Sequence, residues 1–182
     1  QYSILARGIE WEIGPAALHN GLGLLPWSPL AGGFLTGKYQ RGGHAPAETR
    51  AGSDKKLYQW VSEEYADSEQ NWATIEAVLR IAGELGATPA QVALSWLAER
   101  PGVVAPICGA RKLAHLHDNL GAAELSLGTD FTEELEKVSR PRSGGYPYGA
   151  FGVGQRTRWL KDGSQAPEQP YLNGSAHPLG HR

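Results

Sequence analysis

Apolar side chains recur every three to four positions in several parts of this 182-residue chain, as on the buried face of an amphipathic helix. The longest such run predicts a helix that ends at Gly86, with apolar positions at Trp72, Ile75, Leu79, Ala82 and Leu85. Thr88-Pro89-Ala90-Gln91 follows as a capping box with proline at the first helical position. It predicts a second helix through Val92, Trp96 and Leu97 that stops before Pro101-Gly102.

Weaker patterns predict further helices. Ile9, Ile13 and Ala16 have helical spacing, and Asn20-Gly21 predicts the end of that helix. Later in the chain, a helix is predicted by Leu113, Leu116 and Leu120. Asp130-Phe131-Thr132-Glu133 predicts the start of another helix, which carries Leu135 and Val138.

Two short apolar runs lie between these helices: residues 22–27 predict a buried β-strand, and residues 103–108 predict a second strand. Strands that alternate with helices indicate parallel βα units. Cys108, at the end of the second run, is predicted to be a buried structural thiol. Residues 39–60 are rich in glycine and polar side chains without a sustained period, which predicts a long loop.

The composition changes after residue 142. Residues 143–182 are rich in glycine, proline and tyrosine and have almost no aliphatic periodicity. We therefore expect one folded domain over residues 1–142 and a C-terminal tail over residues 143–182 that is ordered only where it docks. Because the chain contains no methionine, we expect Gln1 to be an internal residue of a longer protein.

Charge and composition argue against several classes of protein. With 17 basic and 19 acidic residues the net charge is −2, too balanced for a protein that binds nucleic acid by neutralising phosphates. No apolar run approaches the roughly 18 residues of a membrane span. A single cysteine excludes a disulfide framework and fits a cytoplasmic protein. His115 and His117 face different directions on a helix, so no metal site is predicted.

Each predicted strand ends in a glycine-containing turn with basic residues nearby. The first continues as Ser28-Pro29-Leu30-Ala31-Gly32-Gly33 and reaches Lys38, and the second continues as Gly109-Ala110-Arg111. A helix N-terminus offers unpaired N–H groups and partial positive charge, so a phosphate fits there. Arg111 adds a planar donor suited to a phosphate monoester. Taken alone, such a turn is also an ordinary helix start.

In this order and at this spacing, the two motifs resemble the C-terminal half of an aldo-keto reductase over roughly residues 1–142. The resemblance implies an α/β fold that is part of a (β/α)₈ TIM barrel, with parallel strands and outer helices. It also implies NADP(H) as the cofactor. The intact enzyme would then reduce a small-molecule carbonyl substrate, an aldehyde or a ketone, to an alcohol.

The resemblance assigns roles to residues of both turns. Trp27 would stack on the nicotinamide, with a core tryptophan as the alternative. Contacts to pyrophosphate and ribose would come from Ser28, Leu30 and Gly32, and from Lys38 and Arg50, which are otherwise solvated loop charges. The adenosine 2′-phosphate and adenine would contact Gly109, Ala110, Arg111, His115, Asp118 and Asn119. His115 stands where the family usually has Gln or Arg, so the preference between NADPH and NADH stays open.

No catalytic residue is predicted in this chain. In the resembling family the tyrosine, lysine, histidine and aspartate of catalysis come from the first four strands, which no segment here matches. Gln1 lies two residues after the position of the family's nicotinamide-binding glutamine and is not assigned. We expect the chain alone to be inactive, to be oligomeric or poorly folded because its sheet edges are open, and to bind NADPH at most weakly. The alternatives are a regulatory NADP(H)-binding subunit similar to potassium-channel β subunits, or a non-functional remnant.

Overall fold

The structure, a computed structural model, describes residues 1–43, 49, 52, 61, 64–142, 147–148 and 150–156. Within them the α-helices are α1 (Ile13–His19), α2 (Glu69–Leu85), α3 (Pro89–Ala98), α4 (Leu113–Leu120), α5 (Gly128–Val138) and α6 (Ala150–Arg156). Short 3₁₀ helices cover Gly8–Glu10, Ala31–Thr36 and Gly121–Ala123. Most of the predicted loop at 39–60 and most of the tail at 143–182 lie outside the described residues.

Helices α2 and α3 form where the sequence predicts them because both have strong end signals. The Ser68 hydroxyl accepts from the Asn71 N–H at 3.2 Å, and Gly86 ends α2 in the left-handed conformation at φ 62°. At the start of α3 the Thr88 hydroxyl accepts from the Gln91 N–H at 3.2 Å, while the Gln91 amide oxygen accepts from the Thr88 N–H at 3.0 Å. These bonds pair N–H groups that a helix start otherwise leaves without partners.

The hydrophobic core lies between α2, α3 and α5. Its fully buried side chains include Ile81 of α2, Trp96 and Leu97 of α3, and Leu135 of α5. Most of these positions belong to the apolar stripes that the sequence pattern identifies. Asn20 and Gly21 end α1 as predicted, but α5 begins at Gly128, earlier than the predicted Asp130. Asp130 then lies in the first turn, where its carboxylate complements the helix dipole.

The two predicted strands pair in parallel at one bridge, between Leu24 and Val103. The Leu24 N–H donates to the Gly102 carbonyl at 2.7 Å, and the Val104 N–H donates to the Leu24 carbonyl at 2.9 Å. On the other side of the first segment, the Tyr2 N–H donates to the Trp27 carbonyl at 3.3 Å. The predicted pairing direction is therefore present locally, but the described residues form no continuous strand.

One face of this parallel pair is covered and the other is open. The side chains of Leu24 and Val103 are partly buried, and Val103 packs on the core. Because side chains alternate along extended backbone, the neighbouring residues point the other way. A Cβ on Gly23 would lie 2.4 Å from a Val104 methyl, which places both residues on that second side. The open face consists of Leu25, Trp27, Val104 and Ile107, which are 61%, 53%, 71% and 55% exposed.

The prediction that residues 22–27 form a buried strand is thus wrong about burial, and residues 103–108 are likewise open on one side. No described segment of the chain packs on the open face, so its apolar side chains stay accessible. The same holds for the apolar stripe of α4, where Leu113 is 69%, Leu116 is 42% and Leu120 is 61% exposed. A sequence pattern identifies which side of an element is apolar, but not whether a partner covers it.

Candidate functional site

The turn that follows Trp27 has a left-handed backbone at several positions. Ser28 has φ 57° and Ala31 has φ 49°, and they are followed by Gly32 at 64° and Gly33 at 101°. For a residue with a side chain this conformation costs about 1–2 kcal/mol. It persists only where the surrounding structure fixes it, and such positions cluster at binding and active sites.

Close packing leaves no room for a side chain at Gly32, whereas at Gly33 the neighbouring atoms are the flexible end of Lys38, which can shift. A Cβ on Gly32 would lie 2.6 Å from a methyl carbon of Val61, and a Cβ on Gly33 would lie 2.7 Å from Lys38 Nζ. The Lys38 ammonium group also lies 5.6 Å from the centroid of the Tyr39 ring. The structure therefore brings Gly32 and Lys38, two of the predicted cofactor contacts, into one turn. Ser28 and Leu30 of the same turn are partly buried.

The second predicted turn leads directly into α4. Gly109, Ala110 and Arg111 are exposed, and a Cβ on Gly109 would meet no heavy atom within 4 Å. Lys112 is the N-cap residue, and no side chain caps the helix start. The exposed start of α4 thus has no side-chain cap and directly follows Arg111 and Lys112 in sequence, an arrangement that suits an anion such as a phosphate.

The parallel pairing determines how the two turns lie relative to one another. Residues 22–27 and 103–108 run in the same direction through the Leu24–Val103 bridge. Trp27 ends the first segment, and Gly109 follows the second. Both turns therefore leave the pair at its carboxyl end. Trp27 lies on the open face with 53% of its surface accessible, so its ring can receive a flat ligand.

A glutamine of α3 forms a hydrogen bond with the far end of α4. The Gln91 amide nitrogen donates to the Asp118 carbonyl at 3.0 Å, while its oxygen completes the capping box of α3. A Cβ on Gly121 would lie 2.4 Å from that amide nitrogen. Asp118 and Asn119 are partly buried and His115 is exposed. Gln91 thus holds α4 in place, a role that its capping motif alone does not reveal.

Two sequence-based predictions, those for Arg50 and Cys108, have other outcomes. Arg50 lies outside the described residues. Cys108 was predicted to be buried, but it is an exposed free cysteine. The prediction fails because residues 103–108 are open on one side. Partial desolvation raises the pKa of the Cys108 thiol above its ordinary value, so the thiolate is not favoured.

Sequence reasoning missed a buried charge cluster that joins the N-terminal segment to α3 and α5. Arg7 is 9% exposed, and it donates to both carboxylate oxygens of Glu10 at 2.7 and 2.8 Å and to Glu136 at 2.6 Å. Arg100 also pairs with Glu136. The two guanidinium groups lie 5.1 and 4.6 Å from the Trp96 ring centroid. Arg7 and Glu10 are oppositely charged and three residues apart, and this spacing is the sequence signal for part of the cluster.

Arg7 has a structural role in this cluster and no N–H left for an anion. The five N–H donors of a guanidinium are all engaged at Arg7, because Ser139 and the Glu136 carbonyl accept the remaining ones at 2.8 and 3.5 Å. Among the described residues, no group of three or more His, Cys, Asp and Glu side chains could bind a metal ion. None of the helices in the described part is long and apolar enough to cross a bilayer.

Comparison with known proteins shows a match to one protein family. A sequence profile of the Aldo/keto reductase family matches residues 1–140. "Uncharacterized oxidoreductase YrpG" of Bacillus subtilis is 36% identical over 138 residues, which cover 76% of this chain and 38% of that protein.

Two plant relatives differ in the function that their names give. "Probable voltage-gated potassium channel subunit beta" of Arabidopsis thaliana is 35% identical, covering 69% of this chain and 37% of that protein. "Probable aldo-keto reductase 1" of Glycine max is 33% identical, covering 76% of this chain and 38% of that protein. The chain thus spans less than half the length of these relatives.

Proposed function

Because the chain belongs to the aldo/keto reductase family, we propose that it is the NADP(H)-holding part of a reductase that converts aldehydes or ketones to alcohols. The family implies a (β/α)₈ barrel, and we propose that residues 1–142 form the C-terminal half of one, followed by a tail over residues 143–182. The oxidoreductase relatives support the class of reaction. The carbonyl substrate and a cytoplasmic location belong to the same proposal.

The observation that supports this function best is the shared position of the two turns at the carboxyl end of the parallel pair. In a (β/α)₈ barrel that end carries the active site. One turn provides the accessible Trp27 ring, and the other provides an uncapped helix start next to Arg111. A nicotinamide adenine dinucleotide has a flat ring at each end and phosphates along its length, so its chemistry fits these two features.

Each predicted residue then has a defined task. Trp27 would stack against the nicotinamide. The turn at Ser28, Leu30 and Gly32 would contact pyrophosphate and ribose, and Lys38 and Arg50 would neutralise the pyrophosphate. Around the 2′-phosphate and adenine we place Gly109, Ala110, Arg111, His115, Asp118 and Asn119. The bound cofactor supplies the hydride, and the chain orients it. A proton donor for the carbonyl oxygen is not assigned to this chain.

The proposal is tested by comparing the affinities of the chain for NADPH and for NADH. Titration of the purified chain, followed by tryptophan fluorescence, should detect NADPH binding. Arg111→Ala should weaken NADPH about ten- to hundredfold, because one charge-assisted contact is worth roughly 1.5–3 kcal/mol. NADH affinity should change little, since NADH lacks the 2′-phosphate. Arg140→Ala, which removes another exposed arginine, should leave both affinities unchanged. Equal losses for both cofactors at Arg111 would reject its role.

A regulatory subunit is a second candidate. The relatives from Arabidopsis thaliana and Oryza sativa, 35% and 34% identical, are named as potassium channel β subunits. A subunit of this kind would hold NADP(H) in the same turns while acting on a partner protein. The two functions differ in turnover: a reductase consumes NADPH with an aldehyde, whereas a regulatory subunit binds it with little consumption. The chain by itself is proposed to lack turnover in either case.

A further inference from the structure

Val61 lies against the centre of the first turn, although no sequence motif identifies it. Its side chain is fully buried, with 0% of its surface exposed, and its backbone is helical. Its two methyl carbons lie 2.6 and 2.9 Å from the position that a Cβ on Gly32 would occupy. Val61 therefore fills the space directly above the Gly32 α-carbon and prevents that segment of backbone from moving toward it.

This contact falls next to Ala31, whose side chain makes its left-handed conformation unfavourable, whereas Gly32 and Gly33 adopt positive φ without that cost. Ala31 at φ 49° is followed by Gly32 at 64° and Gly33 at 101°. Local hydrogen bonds also hold this turn: the Ala31 N–H donates to the Ser28 carbonyl at 3.0 Å, the Gly33 and Leu35 N–H groups donate to the Leu30 carbonyl at 2.8 and 3.4 Å, and the Thr36 hydroxyl donates to the Gly33 carbonyl at 2.7 Å. An unfavourable backbone conformation of this kind needs tertiary contacts to persist.

Aromatic packing holds the other end of the same turn. The Phe34 ring stacks on Tyr39 with 4.4 Å between centroids, and it also contacts Tyr65 at 5.7 Å and Trp72 at 5.8 Å. Phe34 is 2% exposed. This end is anchored by several rings, whereas Gly32 is held by Val61. Loss of the Val61 methyl groups should therefore release the middle of the turn without releasing its end.

We propose that Val61 is a positioning residue for the dinucleotide: it fixes the left-handed backbone at Ala31–Gly33 and so places the turn that contacts the cofactor. The inference rests on the proposed function and adds a residue that touches no cofactor. It also links the turn to the part of the chain that follows residue 60. The mechanism is steric, since the contact joins a valine side chain to a glycine α-carbon.

The experiment compares three variants of the whole chain. Val61→Ala removes the methyl groups above Gly32. Val61→Thr keeps the branched shape while placing a hydroxyl in the core, so it costs stability but preserves the contact. Val92→Ala truncates an equally buried valine of α3, which is 0% exposed. The dissociation constant for NADPH is measured by tryptophan fluorescence, and hydrogen exchange of the peptide covering residues 28–38 is measured by mass spectrometry.

We expect Val61→Ala to raise the dissociation constant about tenfold or more, since small misplacements of binding groups have large effects. Hydrogen exchange of the peptide covering residues 28–38 should also be faster in this variant than in the parent chain. Val61→Thr and Val92→Ala should bind NADPH within about twofold of the parent chain. If Val61→Ala and Val92→Ala lose affinity equally, the effect is general destabilisation and the inference is wrong.

A double substitution gives an independent check. Gly32→Ala should abolish binding, because its Cβ would collide with Val61 and its φ of 64° is strained for alanine. Gly32→Ala combined with Val61→Ala should bind better than Gly32→Ala alone, because the collision is relieved while the strain remains. Absence of this recovery would contradict the steric contact. If the parent chain binds no NADPH, the proposed function is rejected and the dinucleotide role with it, while exchange over residues 28–38 still decides whether Val61 holds the turn.

Discussion

Pro26 and Pro106 occupy the two positions at which the Leu24–Val103 pairing would otherwise continue. The next bonds of a parallel ladder would come from the N–H groups of residues 26 and 106, and proline has none. The Ile107 N–H donates to the Pro26 carbonyl instead, at 2.8 Å. One extra residue is thereby accommodated in the second segment, and Ile107 joins Leu25 and Trp27 on the open face.

The first prediction follows from that open face. Its apolar side chains, together with the incomplete sheet edges, should make the purified chain self-associate. Sedimentation velocity should show species larger than a monomer. Ile107→Glu should shift the distribution toward monomer because it places a charge in the interface. Ile13→Glu is the control, since Ile13 is also 61% exposed but lies on α1. A monomeric parent chain, or equal effects of both substitutions, would contradict the prediction.

The second prediction concerns Gln91, which bonds to two helices at once. Gln91→Ala removes half of the capping box and the bond to the Asp118 carbonyl. We expect a loss of about 1–2 kcal/mol in the free energy of unfolding. Thr88→Ala removes only the capping bond. Exchange of the α4 amides should therefore accelerate in the Gln91 variant and not in the Thr88 variant. Identical exchange of α4 in both would show that Gln91 does not hold α4.

The third prediction concerns the buried charge cluster. Arg7→Ala leaves the carboxylate of Glu10 without its cation and leaves Glu136 with Arg100 alone. Removal of one member of a buried pair costs about 3–5 kcal/mol, and we expect about 2–4 kcal/mol because both carboxylates are partly hydrated. Arg80→Ala breaks two exposed ion pairs, with Glu84 and Glu134, and should cause no measurable loss. Chemical denaturation measures the stability of both variants. Equal denaturation midpoints for the Arg7 and Arg80 variants would refute the structural role of Arg7.

The fourth prediction is a pH dependence. Desolvation, followed by the charge of Glu64, raises the pKa of Tyr65 from 10.0 to about 12. Above pH 10 the unfolded chain releases this proton while the folded chain keeps it. The resulting contribution to stability is complete below pH 10 and is lost as the pH rises from 10 to 12.

Stability curves against pH test this titration. Tyr65→Phe should have a shallower loss of stability between pH 10 and 12 than the parent chain, because it cannot ionise. Tyr2→Phe should also flatten the curve, since desolvation and the charge of Glu10 raise the pKa of Tyr2 as well. A Tyr65→Phe curve with the slope of the parent chain would contradict the prediction.

Much of the helical framework could be predicted from local signals. Gly86 ends α2, the box from Thr88 to Gln91 starts α3, and Asn20 ends α1, as expected. These signals act over one helical turn, because a cap pairs with N–H or C=O groups close to it in sequence. Spacing also predicted the parallel direction of residues 22–27 and 103–108, since strands joined through helices run in the same direction.

The sequence by itself determined where several of the described helices begin or end and which sides of them are apolar, and it predicts two turns as dinucleotide contacts. The tertiary structure decided what covers each apolar side. It left Leu25 and Val104 exposed, placed Val61 against Gly32, and gathered Arg7, Glu136 and Trp96 into one cluster. The physical reason is the sequence separation over which each interaction acts. Caps and periodicity act between neighbours in sequence, whereas burial and ion pairing depend on segments that meet only after folding.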